Sequence, residues 1–144
     1  MATTFKEIYD RAIFRFADYE FLKHDIQTRE DILERHLMAA KTDFQRICKF
    51  DISEYDKELK RFNVDLGDEE IEILSLGVAS KWLSYKSLNS ELLRNVLNSR
   101  DYYYYSPANL LKEIQTLRKT LKDEFQSAMR RYSYYDNSLD TLKV

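Results

Sequence analysis

The sequence predicts an all-α protein, a small helical bundle of four to five helices with an extended C-terminal arm. Three observations predict it. Gly occurs 2 times and Pro once in 144 residues, so the tight turns that an all-β domain repeats are scarcely available. Apolar residues recur at steps of three and four along most of the chain, which is the spacing of one helix face. A hydrophobic share of 44% beside 33% charged residues supplies a core and a wetted surface together, as a single domain of this length requires. The expected division is a bundle over residues 1–132 and an arm over 133–144.

Taken in order, Phe5, Tyr9, Ala12, Phe16 and Tyr19 line one side of a first helix. Thr4 and Glu7 are spaced as a capping box, with Thr3 an alternative cap. A break is expected at His24 to Gln27, after which Thr28 and Asp31 open a second helix through Leu33, Leu37, Ala40, Phe44 and Ile47. Its polar side carries Arg29, Glu30, Glu34, Arg35, Lys41 and Arg46. Residues Asp51 to Glu72 hold nine acidic and three basic side chains, a local balance of −6. Ile52, Tyr55, Leu59 and Phe62 recur there at three, four and three, the spacing of a short helix or a partly ordered excursion, before Asn63 to Gly67 break it.

Asp68, Glu69 and Glu70 then start a third helix through Ile71, Leu74, Val78, Trp82 and Tyr85, because carboxylates favour the positive end of the helix dipole. Gly77 in its middle costs about 1 kcal/mol against Ala, which predicts close approach of another backbone. The helix is expected to stop at Lys86 to Asn89, with Leu92, Leu93, Val96 and Leu97 forming a separate short amphipathic stretch. Ser106 and Pro107 are a hydroxyl cap and a proline at the first helical position. They open a long helix with Leu110, Ile114, Leu117, Leu121, Phe125, Ala128 and Tyr132 in a nearly straight stripe. This helix is expected at the centre of the bundle. From Pro107 to Tyr135 six basic residues outnumber three acidic ones, so a positive helix accompanies the negative middle segment.

Chemistry is sparse in this pattern. Cys48 is the only cysteine, which excludes an intrachain disulfide framework and fits a reducing compartment; a core or interface place is expected for it. His24 and His36, the only histidines, are expected as solvent-exposed helix residues rather than a metal pair. No Gly-rich phosphate loop, nucleophile elbow or zinc-binding His pair occurs, and Asp68, Glu69, Glu70 and Glu72 read as helix-capping charge. The expectation is therefore no enzyme, and no catalytic, cofactor or metal residues. A net charge of −2 lacks the positive field of a protein that holds nucleic acid through phosphates. No signal peptide and no membrane span is read.

Trp82 belongs to the core on its register. The run Tyr102, Tyr103, Tyr104 and Tyr105 does not, because four successive rings cannot all face inward; a subunit contact accounts for it better than base stacking, which needs a basic groove where only Arg100 is near. After Arg130, Arg131, Tyr132, Ser133, Tyr134 and Tyr135, helical periodicity is lost at Asp136 to Ser138. Tyr134, Tyr135, Leu139 and Leu142 then give the expected arm apolar anchors for a groove on another subunit.

The order of Glu70-Ile71-Glu72-Ile73-Leu74-Ser75-Leu76-Gly77, Trp82-Leu83, Tyr105-Ser106-Pro107-Ala108-Asn109-Leu110-Leu111-Lys112-Glu113 and the aromatic end near Tyr132 to Tyr135 resembles the head-to-tail connector proteins of tailed bacteriophages, the adaptor or neck proteins beneath the portal. The resemblance covers roughly residues 63–135; the N-terminal half matches no such pattern. It implies a ring, commonly of twelve copies, that extends the DNA channel, meets a tail or stopper protein below, and lets DNA pass without specific binding. It implies a virion component made in the host cytoplasm. Portal binding would fall to Arg131, Tyr132, Tyr134, Tyr135, Leu139 and Leu142, and contacts between neighbouring copies to Tyr102, Tyr103, Tyr104, Asp56, Glu58, Arg118 and Lys122. The complementary charges of the middle segment and the last helix suit a head-to-tail interface. Two other functions are compatible with the residues: a helical regulatory module that binds one partner protein, and a nucleic-acid binder using the tyrosine run with Arg100, Arg130 and Arg131.

Overall fold

The structure, a computed structural model, describes residues 2–16, 25–97 and 107–142. The elements in order are α1 (Phe5–Phe16), α2 (Ile26–Phe44), a hairpin of β1 (Tyr55–Asp56) and β2 (Arg61–Phe62), α3 (Asp68–Leu97) and α4 (Pro107–Leu142). Four helices and one minimal antiparallel hairpin among the described residues form the small all-α bundle that periodicity predicts.

The central helix is α3, not the long last helix. Ile71, Ile73, Leu74, Leu76, Val78, Ala79, Trp82 and Leu83 are all buried and together occupy the whole circumference of the helix, whereas α4 carries a single stripe. Accordingly α1, α2 and α4 each pack on α3. Phe44, Leu37, Leu33 and Ala40 come from α2, Phe5, Ile8 and Ala12 from α1, and Leu121, Phe125 and Tyr132 from α4. Gly77 is where these meet: a Cβ there would lie 2.6 Å from the Ala40 methyl and 2.8 Å from the Phe125 ring. Neighbours do approach closely at this glycine, but they are the side chains of Ala40 and Phe125 and not the backbone that the sequence led one to expect.

Helix boundaries depart from the sequence reading at several points. The first turn of α2 starts earlier, because the Asp25 carboxylate accepts from the Thr28 N–H at 3.3 Å and is itself the cap. Thr3 does not cap α1: its hydroxyl is buried and accepts from the Leu66 N–H at 2.7 Å. Thr3 and Phe5 instead run along the hairpin, with Phe5 N–H donating to the Lys60 carbonyl and Phe62 N–H to the Thr3 carbonyl, both at 2.9 Å. The helical spacing of Ile52, Tyr55, Leu59 and Phe62 belongs to that hairpin. Asp56 Oδ1 accepts from the N–H groups of Glu58 and Leu59, and Lys60 has φ 51°, so an aspartate-stabilised turn reverses the chain. Ile52 and Phe62 are fully buried, while Leu59 at the turn is 58% exposed. The Phe5 ring meets Phe62 edge-on at 5.0 Å and fastens the hairpin to α1.

At its other end α3 does not stop at Lys86 to Asn89 but runs to Leu97, since no Gly or Pro interrupts it and α4 lies alongside. The two helices are antiparallel: Arg118 Nε donates to Ser84 Oγ at 3.3 Å, Phe125 lies over Gly77, and Tyr132 bonds Glu70. Each step is seven residues along both helices in opposite directions. Helical backbone also continues through Asp136 to Ser138 and on to Leu142. Residues 133–142 are therefore a continuation of α4, not an extended arm.

Candidate functional site

Where α4 crosses the first turn of α3, three elements converge on one phenol. The Tyr132 hydroxyl donates to Glu70 Oε1 at 3.0 Å and accepts from the Lys49 backbone N–H at 3.1 Å, and its ring meets Phe44 edge-on at 5.1 Å. Tyr132 is 2% exposed and Glu70 6%. Burial pushes the phenol up from its ordinary range, and the neighbouring Glu70 carboxylate adds to this, so the hydroxyl stays protonated and able to donate. A Cβ at Gly67 would stand 2.8 Å from Glu70 Oε2; the glycine leaves room for the carboxylate to turn inward. Tyr132 thus leaves the set of residues expected at a docking surface, because the bundle itself uses both its ring and its hydroxyl.

Of the other residues expected to meet the portal, Arg131 is exposed on α4 and Tyr134 is 73% exposed. Tyr135, Leu139 and Leu142 fall on helical backbone, and their side chains lie outside the described residues. Antiparallel pairing puts residue 134 level with the start of α3, so the helix past that point runs about eight residues, or roughly 12 Å, beyond the end of its partner. Tyr102, Tyr103 and Tyr104 lie outside the described residues, as does His24. Glu58, Arg118 and Lys122 are exposed, and Asp56 is half-buried in the hairpin turn.

Part of the negative charge in the middle segment is neutralised within the chain. Arg11 bonds Asp68 at 2.9 Å and Glu72 at 3.4 Å, and Arg15 also pairs with Glu72. Glu70 faces inward. Asp51, Glu54, Glu58, Asp65 and Glu69 remain exposed, with the exposed Arg118, Lys119 and Lys122 of α4 as the opposing cluster, Arg118 at the seam with α3.

His36 is not the solvent-exposed residue expected of it. Its ring lies 5.8 Å from Trp82 and 5.9 Å from Tyr85 at the seam of α2 and α3. Burial, then the charges of Arg35 and Lys81, lower its pKa to about 4. Trp82 is in the core as expected; Cys48 is half-buried at the edge of that core beside Tyr132, with burial raising its thiol pKa.

The described residues hold no cluster of three or more His, Cys, Asp or Glu side chains placed to bind a metal, and no helix among them is long and apolar enough to cross a membrane. An open depression along α4 is lined by Thr120, Asp123, Glu124, Ser127, Arg130 and Arg131. Its lining comes from one helix and mixes both charges, so nothing converges there for catalysis. Comparison with known protein families, with curated proteins and with solved structures finds no match.

Glu70 is the residue that sequence reasoning misassigned. Grouped with Asp68, Glu69 and Glu72 it reads as surface capping charge. Its position, four residues before Leu74 and seven before Gly77, places it on the buried face of α3, and that register was the available signal.

Proposed function

We propose that this chain is a structural connector subunit of a tailed-phage neck, assembling head-to-tail as a ring, of twelve copies in the resemblance, beneath the portal. The observation that carries the proposal is the continuation of α4 as a helix beyond the end of α3, with Arg131 and Tyr134 exposed on the turn that leads into it. A rigid bundle that projects one helix past its own core presents a docking element whose direction is set by the body of the subunit. The exposed acidic residues of the hairpin region and the basic cluster on α4 are two different surfaces, as a head-to-tail contact requires. In this reading DNA passes through the channel without specific contacts, a tail or stopper protein meets the opposite side, and the protein resides in the virion neck. It needs no cofactor and performs no catalysis.

Co-sedimentation with the purified portal ring of the same genome tests the proposal. The full chain should bind saturably, and a chain ending after Tyr134 should not. Equal binding by both would remove the C-terminal helix from the docking role. Absence of binding to an intact portal by the full chain would remove the portal contact itself and favour a regulatory module with another partner.

A further inference from the structure

The apolar stripe on α4 is periodic, and a periodic stripe does not by itself specify one position along its partner. Sliding the helix by one turn, about 5.4 Å, would again place apolar residues against α3. Two contacts are not periodic. Phe125 occupies the space that Gly77 leaves open, against the Ala40 methyl. Two turns further on, Tyr132 donates to the buried Glu70 carboxylate and accepts from Lys49 N–H. Both contacts are separated by seven residues on α3 and by seven on α4, so they engage together or not at all. A one-turn slip in one direction would put Leu121 at Gly77 and Ala128 level with Glu70, stranding a buried carboxylate and a backbone N–H with no hydroxyl to join them. In the other direction Tyr135 would come level with Glu70 but Ala128 would replace Phe125 at Gly77, and the space that the Phe125 ring fills would be left open.

From this we infer that Glu70, with Tyr132 and Lys49 N–H, is a register pin: it selects one position of α4 along α3 and so fixes how far residues 133–142 extend past the bundle. Apolar packing supplies the adhesion and the polar linkage supplies the uniqueness, a role for which buried polar groups are well suited in helical assemblies. Under the neck reading, on which this meaning of the extension rests, Glu70 and Tyr132 are positioning residues for the docking helix, without contact to the partner.

The test uses the isolated full chain, so its outcome is independent of whether the portal is the partner. Spin labels on Glu30→Cys in α2 and Gln126→Cys in α4, in a Cys48→Ala background because the Cys48 thiol bonds the Tyr132 hydroxyl and a serine could substitute for it, report the axial position of α4 by pulsed dipolar spectroscopy. The parent should give one narrow distance. The double variant Glu70→Leu with Tyr132→Phe removes both polar partners and keeps apolar bulk. It should remain helical and show a second population displaced by several ångströms, as a slip of one turn demands. A folded double variant with the single parental distance would overturn the pin, and so would a double variant that cannot fold, since the linkage would then be a general requirement for folding. Glu70→Gln retains an acceptor for the hydroxyl and should keep the single distance; a split distribution there would overturn the proposal as well.

Discussion

At the residue scale the two informative side chains are Tyr132 and His36, and each carries a prediction. Tyr132→Phe leaves the Glu70 carboxylate and the Lys49 N–H without the hydroxyl that joins them. Losing one partner of a buried pair costs the desolvation of what remains, so chemical denaturation should show a loss of about 2 kcal/mol. Adding Glu70→Leu should recover part of it, because the stranded carboxylate is then gone and the two effects are not additive. His36 acts in the opposite direction with pH. Its pKa in the fold is about 4, against about 6.5 in an unfolded chain, so between those values the unfolded state binds more protons. Its contribution to stability is complete above pH 6.5 and is lost as pH falls toward 4. Melting temperature recorded from pH 7.5 to 4 should fall over that window, and His36→Phe, which keeps a ring beside Trp82 and Tyr85, should flatten this part of the curve. An unchanged slope would mean that other groups govern the acid limb.

At the element scale, local preference and packing oppose each other at Gly77. Gly77→Ala gains about 1 kcal/mol of helix propensity. The added methyl would overlap the Ala40 methyl and the Phe125 ring at 2.6 and 2.8 Å, and forced overlap of this kind costs about 1–3 kcal/mol. The variant should therefore be less stable than the parent in a urea titration; a more stable one would mean that α2 and α4 yield without loss. Gly77 also shows what was legible in the sequence. A glycine inside an apolar helical run announces close approach, and the stripes Leu33 to Phe44 and Leu121 to Tyr132 announce which faces are buried. The hairpin was hidden because Ile52, Tyr55, Leu59 and Phe62 imitate helical spacing while a single side chain, Asp56, supplies the turn. The end of α3 was misplaced because the polar run Lys86 to Asn89 contains no residue that stops a helix, and pairing with α4 overrides its weak amphipathicity. Glu70 was misread because capping charge and buried charge look alike until the register is followed into the core.

At the scale of the whole molecule, the distribution of charge decides which surface is left for a partner. Arg11 and Arg15, both outside the segment, draw on Asp68 and Glu72. The acidic character of the middle segment is therefore smaller on the folded surface than along the chain, and it is concentrated in Asp51, Glu54, Glu58, Asp65 and Glu69. Arg118, Lys119 and Lys122 lie on a different helix, so a contact between the two clusters joins unlike surfaces of two copies and propagates around a ring if the rotation closes. Exposed pairs add little affinity each but steer association and reject wrong partners, and salt weakens them. Reversing one side, Arg118→Glu with Lys122→Glu, should lower the assembled fraction seen by native mass spectrometry in the presence of portal. Glu58→Lys alone should do the same. Mixing the two variants should restore assembly in part, because only unlike neighbours then match, and arrangements that alternate the two would be favoured. Glu58 suits this swap since its side chain takes no part in the hairpin turn, which Asp56 stabilises through the Glu58 backbone. If the mixture assembles no better than either variant, the two clusters do not face each other, and the proposed ring loses the contact on which it rests.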